Sequence, residues 1–506
     1  MSRTMYSAQL SGLEAELIRV EVDLTPGLYL FSLVGLADKE VQESRERISA
    51  AIKNVGAEPP HKHAARVIVN LAPADLKKEG PAFDLPIALG YLLASGQTTF
   101  NPEGKLFVGE LGLDGTVRSV RGALAIASLT RRLDFSELYV PVGNGEEAAL
   151  VSGIRVFEVP NLSECLNHLE GRKEFSALPQ TSLTKALLEY SQDLADIRGQ
   201  ESAKRALTIA AAGGHNILLH GPPGTGKTML ARALPSILPP LLLEEAISIT
   251  KIYSALGLTQ ETTLMRTRPF RSPHHTASAA AIIGGGPTPR PGEISLSHEG
   301  VLFLDEFPEF QRNVLEALRE PLEERVVTVS RAQSSFTYPA NFILVAAMNP
   351  CPCGNLGNSK ISCICPPGAI QKYQRKISGP LVDRIDLHVH VPNLSYDELE
   401  QMSTGESSKE ARERVTKARL RQAQRFREEG ISKNSEMNVR QVKKFALPDE
   451  KGKEVLRSAV EKYALSARSY HRLLKLARTI ADLAGEDQVN STHVLEALRY
   501  RPIKEL

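Results

Sequence analysis

The sequence predicts an α/β protein of several domains, with an α/β segment first, a parallel-sheet core next and an all-helical segment last. Short apolar runs alternate with helical periodicity through residues 1–392, which is typical of sheets covered by helices, whereas only helical periodicity follows. At about 150 residues per domain, a chain of 506 residues suggests two to four domains. We place them at 1–172, 184–392 and 393–506, with a linker at 173–183.

Composition narrows the class of protein. The formal net charge is +2, too small to indicate a nucleic-acid partner by itself, so any basic surface must be local. The N-terminus has no signal-peptide pattern, and no run of about 18 apolar residues could span a membrane. We therefore expect a soluble cytoplasmic protein. Four of the five cysteines lie between Cys351 and Cys365, which favours a metal site over disulfides in a reducing compartment.

The central stretch of the chain is a phosphate-binding loop. It follows the apolar run 216–220, precedes a helical pattern at 229–234 and fits G-x-x-x-x-G-K-[ST] at every fixed position. The loop consists of Gly221, Pro222, Pro223, Gly224, Thr225, Gly226, Lys227 and Thr228. Glycines let successive N–H groups face a phosphate chain, where the helix N-terminus adds a positive dipole. We expect Lys227 to reach the β- and γ-phosphates and Thr228 to ligate Mg²⁺.

A second phosphate-site signal lies downstream of the loop. The apolar run 301–304 ends in two carboxylates, Asp305 and Glu306, which is the Walker B form. We expect Asp305 to hold Mg²⁺ through water and Glu306 to polarise the attacking water. The alternative is a buried strand that ends in exposed acids.

Further segments resemble those of AAA+ ATPases. The segment 196–200, which ends in Gly199 and Gln200, resembles the strip that packs on adenine in those enzymes. The buried run 342–348 ends in Asn349, which matches sensor 1. The resemblance implies that Asn349 orients the attacking water or the γ-phosphate.

The same resemblance implies roles for three arginines. The segment 379–386 resembles the one that carries the arginine finger, which implies that Arg384 acts on the γ-phosphate of a neighbouring subunit. A salt bridge of Arg384 with Asp383 or Asp386 is the alternative. The segment 465–478 resembles the sensor 2 helix, which implies that Arg468 contacts the γ-phosphate, with Arg472 one turn on as the substitute.

Two insertions narrow the resemblance to the clade of magnesium chelatases and MCM helicases. One lies between the Walker motifs at 266–292, and the other is a hairpin pattern at 325–338. In ring helicases of that clade these loops grip DNA in the pore, which implies that Arg290 and Arg331 contact DNA phosphates. Solvated loop arginines are the alternative. The basic stretch 409–427 is either one solvated helix face or a DNA or subunit contact.

The cysteine cluster forms two C-x-C pairs, Cys351 with Cys353 and Cys363 with Cys365. Four thiolates can close a tetrahedral zinc site, although C-x-C bites more tightly than the usual C-x₂-C spacing. Reduced thiols and a redox disulfide remain alternatives. The histidines nearby indicate no metal: His388 and His390 fit packing or surface positions, and His274 and His275 stay unassigned.

The first domain resembles the proteolytic domain of Lon-type proteases at 78–89 and 112–117. Those enzymes need a serine nucleophile after Gly-Pro and a lysine base downstream. Here Gly80-Pro81 is followed by Ala82, and the lysine position falls near Leu124. We therefore expect a Lon-like fold without protease activity, used for assembly or partner binding.

Two segments, 348–357 and 271–278, make the resemblance specific. With the Lon-like domain, they resemble the magnesium chelatase-like ATPases of the ComM/YifB family over essentially the whole chain. This implies a homo-hexameric AAA+ motor that uses ATP and Mg²⁺, binds single-stranded and branched DNA, and drives branch migration in homologous recombination and natural transformation. The alternatives are a chelatase-like motor that remodels a protein or inserts a metal, and a peptidase or scaffold, against which Ala82 and the intact Walker B motif count.

Overall fold

The computed structural model describes residues 2–62, 65–181, 190–259, 264–286, 289–330, 335–358, 361–394 and 405–501. The strands are β1 (Arg3–Ser11), β2 (Glu14–Pro26), β3 (Leu30–Val34), β4 (Ala65–Ala72), β5 (Lys105–Phe107), β6 (Glu110–Leu111), β7 (Val117–Arg118), β8 (Glu137–Pro141), β9 (Arg155–Val159), β10 (Ile217–His220), β11 (Phe270–Arg271), β12 (Gly284–Gly285), β13 (Arg290–Pro291), β14 (Val301–Leu304), β15 (Val326–Ser330), β16 (Ser335–Pro339), β17 (Ile343–Met348) and β18 (Leu387–His390).

The helices follow the same chain order. They are α1 (Lys39–Asn54), α2 (Asp84–Ala94), α3 (Ala123–Arg132), α4 (Gly145–Ala148), α5 (Leu162–Leu169), α6 (Glu201–Gly213), α7 (Lys227–Ile237), α8 (Leu243–Ala255), α9 (Ala279–Ile283), α10 (Glu293–Leu296), α11 (Arg312–Ala317), α12 (Arg319–Glu324), α13 (Pro367–Gln374), α14 (Gly379–Val382), α15 (Ser408–Arg425), α16 (Val439–Phe445), α17 (Glu450–Tyr463), α18 (Ala467–Ala484) and α19 (Ser491–Arg499).

The chain divides into two compact units, Met1–Ala186 with Leu243–Arg266, and Leu187–Leu242 with Thr267–Leu506. The first unit is α/β, as the sequence predicts. Its main sheet has the order β1-β2-β4-β3, in which only β3 and β4 run parallel, and a second, parallel sheet has the order β5-β8-β9. Helix α2 packs on β1 and β2 and is buried from Asp84 to Leu93, which explains its nearly unbroken apolar sequence.

Helix α8 belongs to the first unit, although the chain order places it inside the predicted core segment 184–392. The Ser254 hydroxyl accepts a hydrogen bond from the Gly122 N–H at 3.1 Å. The buried Glu147 carboxylate accepts the Leu124 N–H at 2.8 Å and also bonds the side chains of Ser254 and Thr259. A linear boundary therefore cannot describe this unit, because one buried carboxylate joins α3 to a segment more than a hundred residues further along the chain.

The second unit is built on a five-stranded sheet in the order β11-β14-β17-β10-β18, with every recorded pairing parallel. Strands β10, β14 and β17 are buried at every position, which explains why they are apolar runs without alternation. The C-terminal helices α15 and α18 pack on α6, and α15 also packs on α7. This mixed α/β core with a helical C-terminal region agrees with the predicted class. No helix among the described residues is long and apolar enough to cross a membrane.

Candidate nucleotide-binding site

The phosphate-binding loop lies between β10 and α7, at the edge of the sheet where β14 and β17 also end. Gly224 and Gly226 have φ values of +77° and +88°, which favour glycine. A Cβ atom on Gly221 would lie 2.1 Å from the carbonyl oxygen of Val391, so the backbone there leaves no room for a side chain. Gly224 and Gly226 are therefore required by their backbone conformation, and Gly221 is required because the Val391 backbone lies so close to it.

Residues from three strand ends converge beside this loop. The ammonium group of Lys227 donates to the Gly221 carbonyl oxygen at 2.8 Å and lies 3.3 Å from Oδ1 of Asn349. The Thr228 hydroxyl donates to Oδ2 of Asp305 at 3.0 Å. Together they border a cavity of about 390 Å³, lined by Pro223, Gly224, Thr225, Gly226, Lys227, Thr228, Met229, Asp305, Glu306, Met348 and Asn349.

The chemistry of this cavity suits a phosphate chain with a hard cation. Burial lowers the pKa of Lys227, an effect that the nearby Asp305 opposes. Its ammonium group bonds main-chain and amide oxygens, and among the described residues no carboxylate contacts it directly, so a phosphate would meet an available positive charge. The Thr228 hydroxyl and the Asp305 carboxylate are oxygen donors close enough to share one Mg²⁺ ion, directly or through water. The residues therefore fit Mg²⁺.

Glu306 has a contact that the sequence did not predict. Its backbone has φ +51°, a left-handed conformation that is uncommon outside glycine, and its side chain is exposed. Nδ1 of His275 lies 3.1 Å from Oε2 of Glu306. His275, which the sequence left unassigned, therefore contacts the carboxylate expected to polarise water.

Gly199 and Gln200 lie at the start of α6, and both have positive φ values, +58° and +56°. The Gln200 side-chain amide donates to the Pro392 carbonyl oxygen at 2.7 Å and to the Thr225 carbonyl oxygen at 3.4 Å. The segment expected to border adenine thus contacts the phosphate loop directly.

The arginines proposed for catalysis lie elsewhere: neither Arg384 nor Arg468 is among the described residues that line the cavity. Both pair with one carboxylate, Glu323, whose Oε2 is 2.7 Å from Nη2 of Arg384 and whose Oε1 is 2.5 Å from Nη2 of Arg468. Arg384 is thus paired, but with Glu323 and not with Asp383 or Asp386. No local pattern distinguishes Glu323, which is separated from Arg468 by 145 positions.

Arg472 has a different environment from Arg468. Its guanidinium is buried and donates to the Ile385 carbonyl oxygen at 2.8 Å and to the Asp383 carbonyl oxygen at 3.2 Å. Burial lowers the pKa of Arg472, which Asp386 opposes. These contacts hold the backbone on either side of Arg384, so the Arg472 guanidinium is engaged by main-chain oxygens of its own chain.

The four clustered cysteines come together in space. All four Sγ atoms lie within 4.8 Å of one another, and none forms a disulfide. The Sγ atom of Cys351 lies 3.4 Å from the Sγ atom of Cys353 and 3.6 Å from that of Cys363. A zinc ion with sulfur ligands at about 2.3 Å has S···S edges of about 3.8 Å, so the donor set fits Zn²⁺. Hydrogen bonds from the Asn355 and Ile364 backbones lower the pKa of Cys353 to about 6, which favours the thiolate. The pKa of Cys363 is raised instead, because burial and the neighbouring thiols outweigh the lowering effect of the Cys365 backbone, so the fit to zinc rests on the sulfur positions.

The cysteine cluster adjoins the phosphate loop. A Cβ atom on Gly354, which follows Cys353, would lie 2.7 Å from Cδ of Pro223. Because Asn349 also lies two residues before Cys351, the cluster and the sensor 1 position belong to one continuous segment.

The two insertions pack against each other. Strand β12 pairs with β13 and β15 pairs with β16, both antiparallel, and the second pair lies in the segment 325–338 where the sequence predicts a hairpin. The Tyr338 hydroxyl donates to the Pro289 carbonyl oxygen at 2.8 Å and so joins the two insertions. Arg290 is exposed at the start of β13, whereas Arg331 lies outside the described residues.

The first unit has neither group of a serine–lysine dyad at the positions that the resemblance indicates. Ala82 lies in a short helical turn before α2, and its carbonyl oxygen accepts the Gly109 N–H at 2.9 Å. Leu124 is buried in the first turn of α3. These positions supply no nucleophile and no base.

Comparisons with known proteins give the chain its family. Three family models match it: "Magnesium chelatase, subunit ChlI" over residues 193–399, "Subunit ChlI of Mg-chelatase" over 20–144, and "Magnesium chelatase, subunit ChlI C-terminal" over 405–501. The competence protein ComM of Haemophilus influenzae is 42% identical over 99% of this chain and 98% of its own. The chain belongs to the ComM/YifB family of magnesium chelatase-like proteins.

Two further proteins are similar to this chain, one over nearly its whole length and one over a third of it. The YifB protein of Salmonella typhimurium is 43% identical over 98% of this chain and 96% of its own. Lon protease 2 of Bacillus subtilis is 29% identical over 33% of this chain and 32% of its own. Membership of this magnesium chelatase-like family indicates an AAA+ core that uses ATP and Mg²⁺.

Proposed function

We propose that this chain is an AAA+ ATPase that assembles as a homo-hexamer and couples ATP hydrolysis to movement along DNA during branch migration. The observation that carries the proposal is the convergence of Lys227, Thr228, Asp305 and Asn349 on one cavity. The chain is similar over its full length to a competence protein, which supports a role in homologous recombination during natural transformation. We place this activity in the cytoplasm.

In this proposal each side chain at the cavity has one task. The loop Gly221–Thr228 binds the phosphates, and Gly199 and Gln200 border the base. Thr228 and Asp305 would hold Mg²⁺, which would supply positive charge beside the phosphates. Glu306 accepts a hydrogen bond from the attacking water and polarises it, while the Asn349 amide orients that water or the γ-phosphate. Arg384 acts across the subunit interface.

The remaining residues give the motor its partners. Arg290, which is exposed, and Arg331 contact DNA phosphates from the paired insertions. Cys351, Cys353, Cys363 and Cys365 hold a structural Zn²⁺. The first unit, which lacks the dyad at the matching positions, serves assembly or partner binding. Along the chain, 1–172 acts as the Lon-like domain, 184–392 as the ATPase core and 393–506 as the lid.

The test is ATP hydrolysis by the purified chain with and without forked or four-way DNA. We expect stimulation by branched DNA, resolution of junction substrates, and loss of both in E306Q, which retains nucleotide binding. ATP hydrolysis that is indifferent to every form of DNA would contradict the DNA motor.

The alternative function is a chelatase-like motor that remodels a protein or inserts a metal. The three matching family models, all named for a magnesium chelatase subunit, favour it. This alternative predicts robust ATP hydrolysis that a protein partner stimulates and that no DNA changes.

A further inference from the structure

Glu323 joins two arginines from distant parts of the second unit. It lies near the end of α12, whereas Arg384 follows α14 and Arg468 lies in the first turn of α18. The two oxygens of its carboxylate divide between the two guanidinium groups, at 2.7 Å and 2.5 Å. Burial opposes ionisation, but hydrogen bonds from both arginines keep the pKa of Glu323 below its usual range. The three groups form one ionic cluster with a net positive charge.

One arginine of the cluster is fixed by the protein, whereas the other arginine and the carboxylate are exposed to solvent. Arg384 is anchored, because its Nη1 donates to the Pro380 carbonyl oxygen at 2.6 Å and its side chain is only 12% exposed. The backbone around it is fixed by Arg472, which bonds the carbonyl oxygens of Asp383 and Ile385. The side chains of Arg468 and Glu323 remain 46% and 42% exposed. Solvent, and hence a second molecule, can reach the cluster.

Two cations this close repel each other unless an anion lies between them. Without the Glu323 carboxylate, the exposed Arg468 guanidinium would turn away from the anchored Arg384 towards solvent, and their shared direction would be lost. Two cations held in place stabilise the negative charge that develops in the transition state more than two mobile cations do. The reason is that their side chains are already ordered before the reaction begins. The pair of Arg468 with Glu323 is exposed on both sides and contributes little to folding stability, so we attribute to it an orienting effect rather than a stabilising one.

We infer that Glu323 is a positioning residue, which gathers Arg384 and Arg468 into one pair presented to the nucleotide of a second copy of this chain. The pair acts outside its own subunit because neither arginine lines the phosphate cavity of the described chain. A triphosphate supplies the anionic oxygens that two adjacent guanidinium groups bind best. This inference rests on the proposed ATPase function and adds to it the group that organises the shared site.

The experiment compares E323A, E323Q and E324A in steady-state ATP hydrolysis. Glu324 is the matched control, since it is the next residue of the same helix, is exposed and has no recorded partner in the described part of the chain. We expect E323A to lower kcat at least about tenfold with KM for ATP changed less than about twofold, because its own phosphate cavity is untouched. E323Q keeps the shape and loses the charge, so it should fall between E323A and the parent, while E324A should match the parent.

Mixing subunits tests whether the pair acts on a second copy. K227A lacks a working phosphate loop but supplies an intact arginine pair. E323A keeps the phosphate loop but lacks the oriented arginine pair. An equal mixture should hydrolyse ATP several times faster than either variant alone, which a defect confined to folding would not produce.

The outcomes separate the two proposals. A parent chain that hydrolyses ATP, together with E323A and E323Q within about twofold of its kcat, would overturn the role of Glu323 alone. Failure of the mixture to exceed its components would overturn the action on a second copy. A parent chain without ATP hydrolysis would overturn both this inference and the proposed function.

Discussion

The Thr228 hydroxyl donates a 3.0 Å hydrogen bond to Oδ2 of Asp305, which joins the first turn of α7 to the end of β14. Both groups carry oxygen, and the distance matches two neighbouring positions in the coordination shell of one Mg²⁺. Removing the hydroxyl but not the side-chain volume should therefore separate metal binding from packing. T228V should lower kcat for ATP hydrolysis at least about tenfold and raise the Mg²⁺ concentration needed for half-maximal rate.

T228S is the control for this prediction, because serine keeps the hydroxyl and loses only a methyl group. It should retain most of the activity at saturating Mg²⁺. Equal losses in T228V and T228S would mean that packing around α7, and not the hydroxyl, is what the reaction requires.

Contact between His275 and Glu306 predicts a second effect on the rate. Nδ1 of His275 lies 3.1 Å from Oε2 of Glu306, on a carboxylate whose backbone is already in an uncommon conformation. H275A should free this carboxylate and lower kcat by about tenfold at nearly constant KM, since positioning errors act on the chemical step. H275Q can restore a donor to the carboxylate and should recover part of the rate. A rate in H275A equal to that of the parent would show that Glu306 needs no such partner.

Metal removal provides the third prediction. We expect the purified chain to contain about one zinc per chain, held by the cluster that includes Cys353 and Cys363. C353S and C363S should lose zinc, measured by elemental analysis, and should raise KM for ATP, because Gly354 packs directly on Pro223 of the phosphate loop. C165A is the matched control, since Cys165 is buried in the first unit. A chain that holds no zinc when purified under reducing conditions would contradict the metal site.

The convergence of residues beside the predicted phosphate loop could be anticipated, because these residues lie at the ends of elements that the chain specifies locally. Strand, loop and helix follow one another around Lys227, and a buried parallel strand places Asp305 at the same edge of the sheet. Strand β1 was not predicted, because its inward positions include small and polar residues such as Ser7, so the apolar signal is weak.

Contacts between distant segments were not predictable from local pattern. Glu323 is one of several acidic residues on a short helix, and nothing in its neighbourhood distinguishes it until Arg384 and Arg468 meet it in space. Likewise, α8 has ordinary helical periodicity, and its contacts with Glu147 and Gly122 through Ser254 show that it packs within the first unit. Such pairings depend on tertiary structure, which the period of a sequence does not record.

Buried histidines in the second unit predict how stability depends on pH. Burial lowers the pKa of His220 and of His298 to about 4 and that of His388 to about 3, from an ordinary value of 6.5. Between pH 6.5 and about 4 the unfolded chain therefore binds protons that the folded chain excludes. The free energy of unfolding should fall as the pH falls through this window, by about 1.4 kcal/mol per pH unit for each such imidazole.

Denaturant unfolding at pH 7, 6 and 5 measures this slope, and H388L tests its origin. This window lies above the titration of most carboxylates, but burial raises the pKa of Asp84 and of Glu147 in the first unit, which acts in the opposite sense. The comparison of variant with parent removes that contribution, because both chains share it. Leucine cannot titrate, so H388L should flatten the slope by about 1.4 kcal/mol per pH unit below pH 6, and by about half of that between pH 7 and 6, whatever its effect on stability at pH 7. Parallel slopes in the two chains would mean that His388 is protonated equally in the folded and unfolded states.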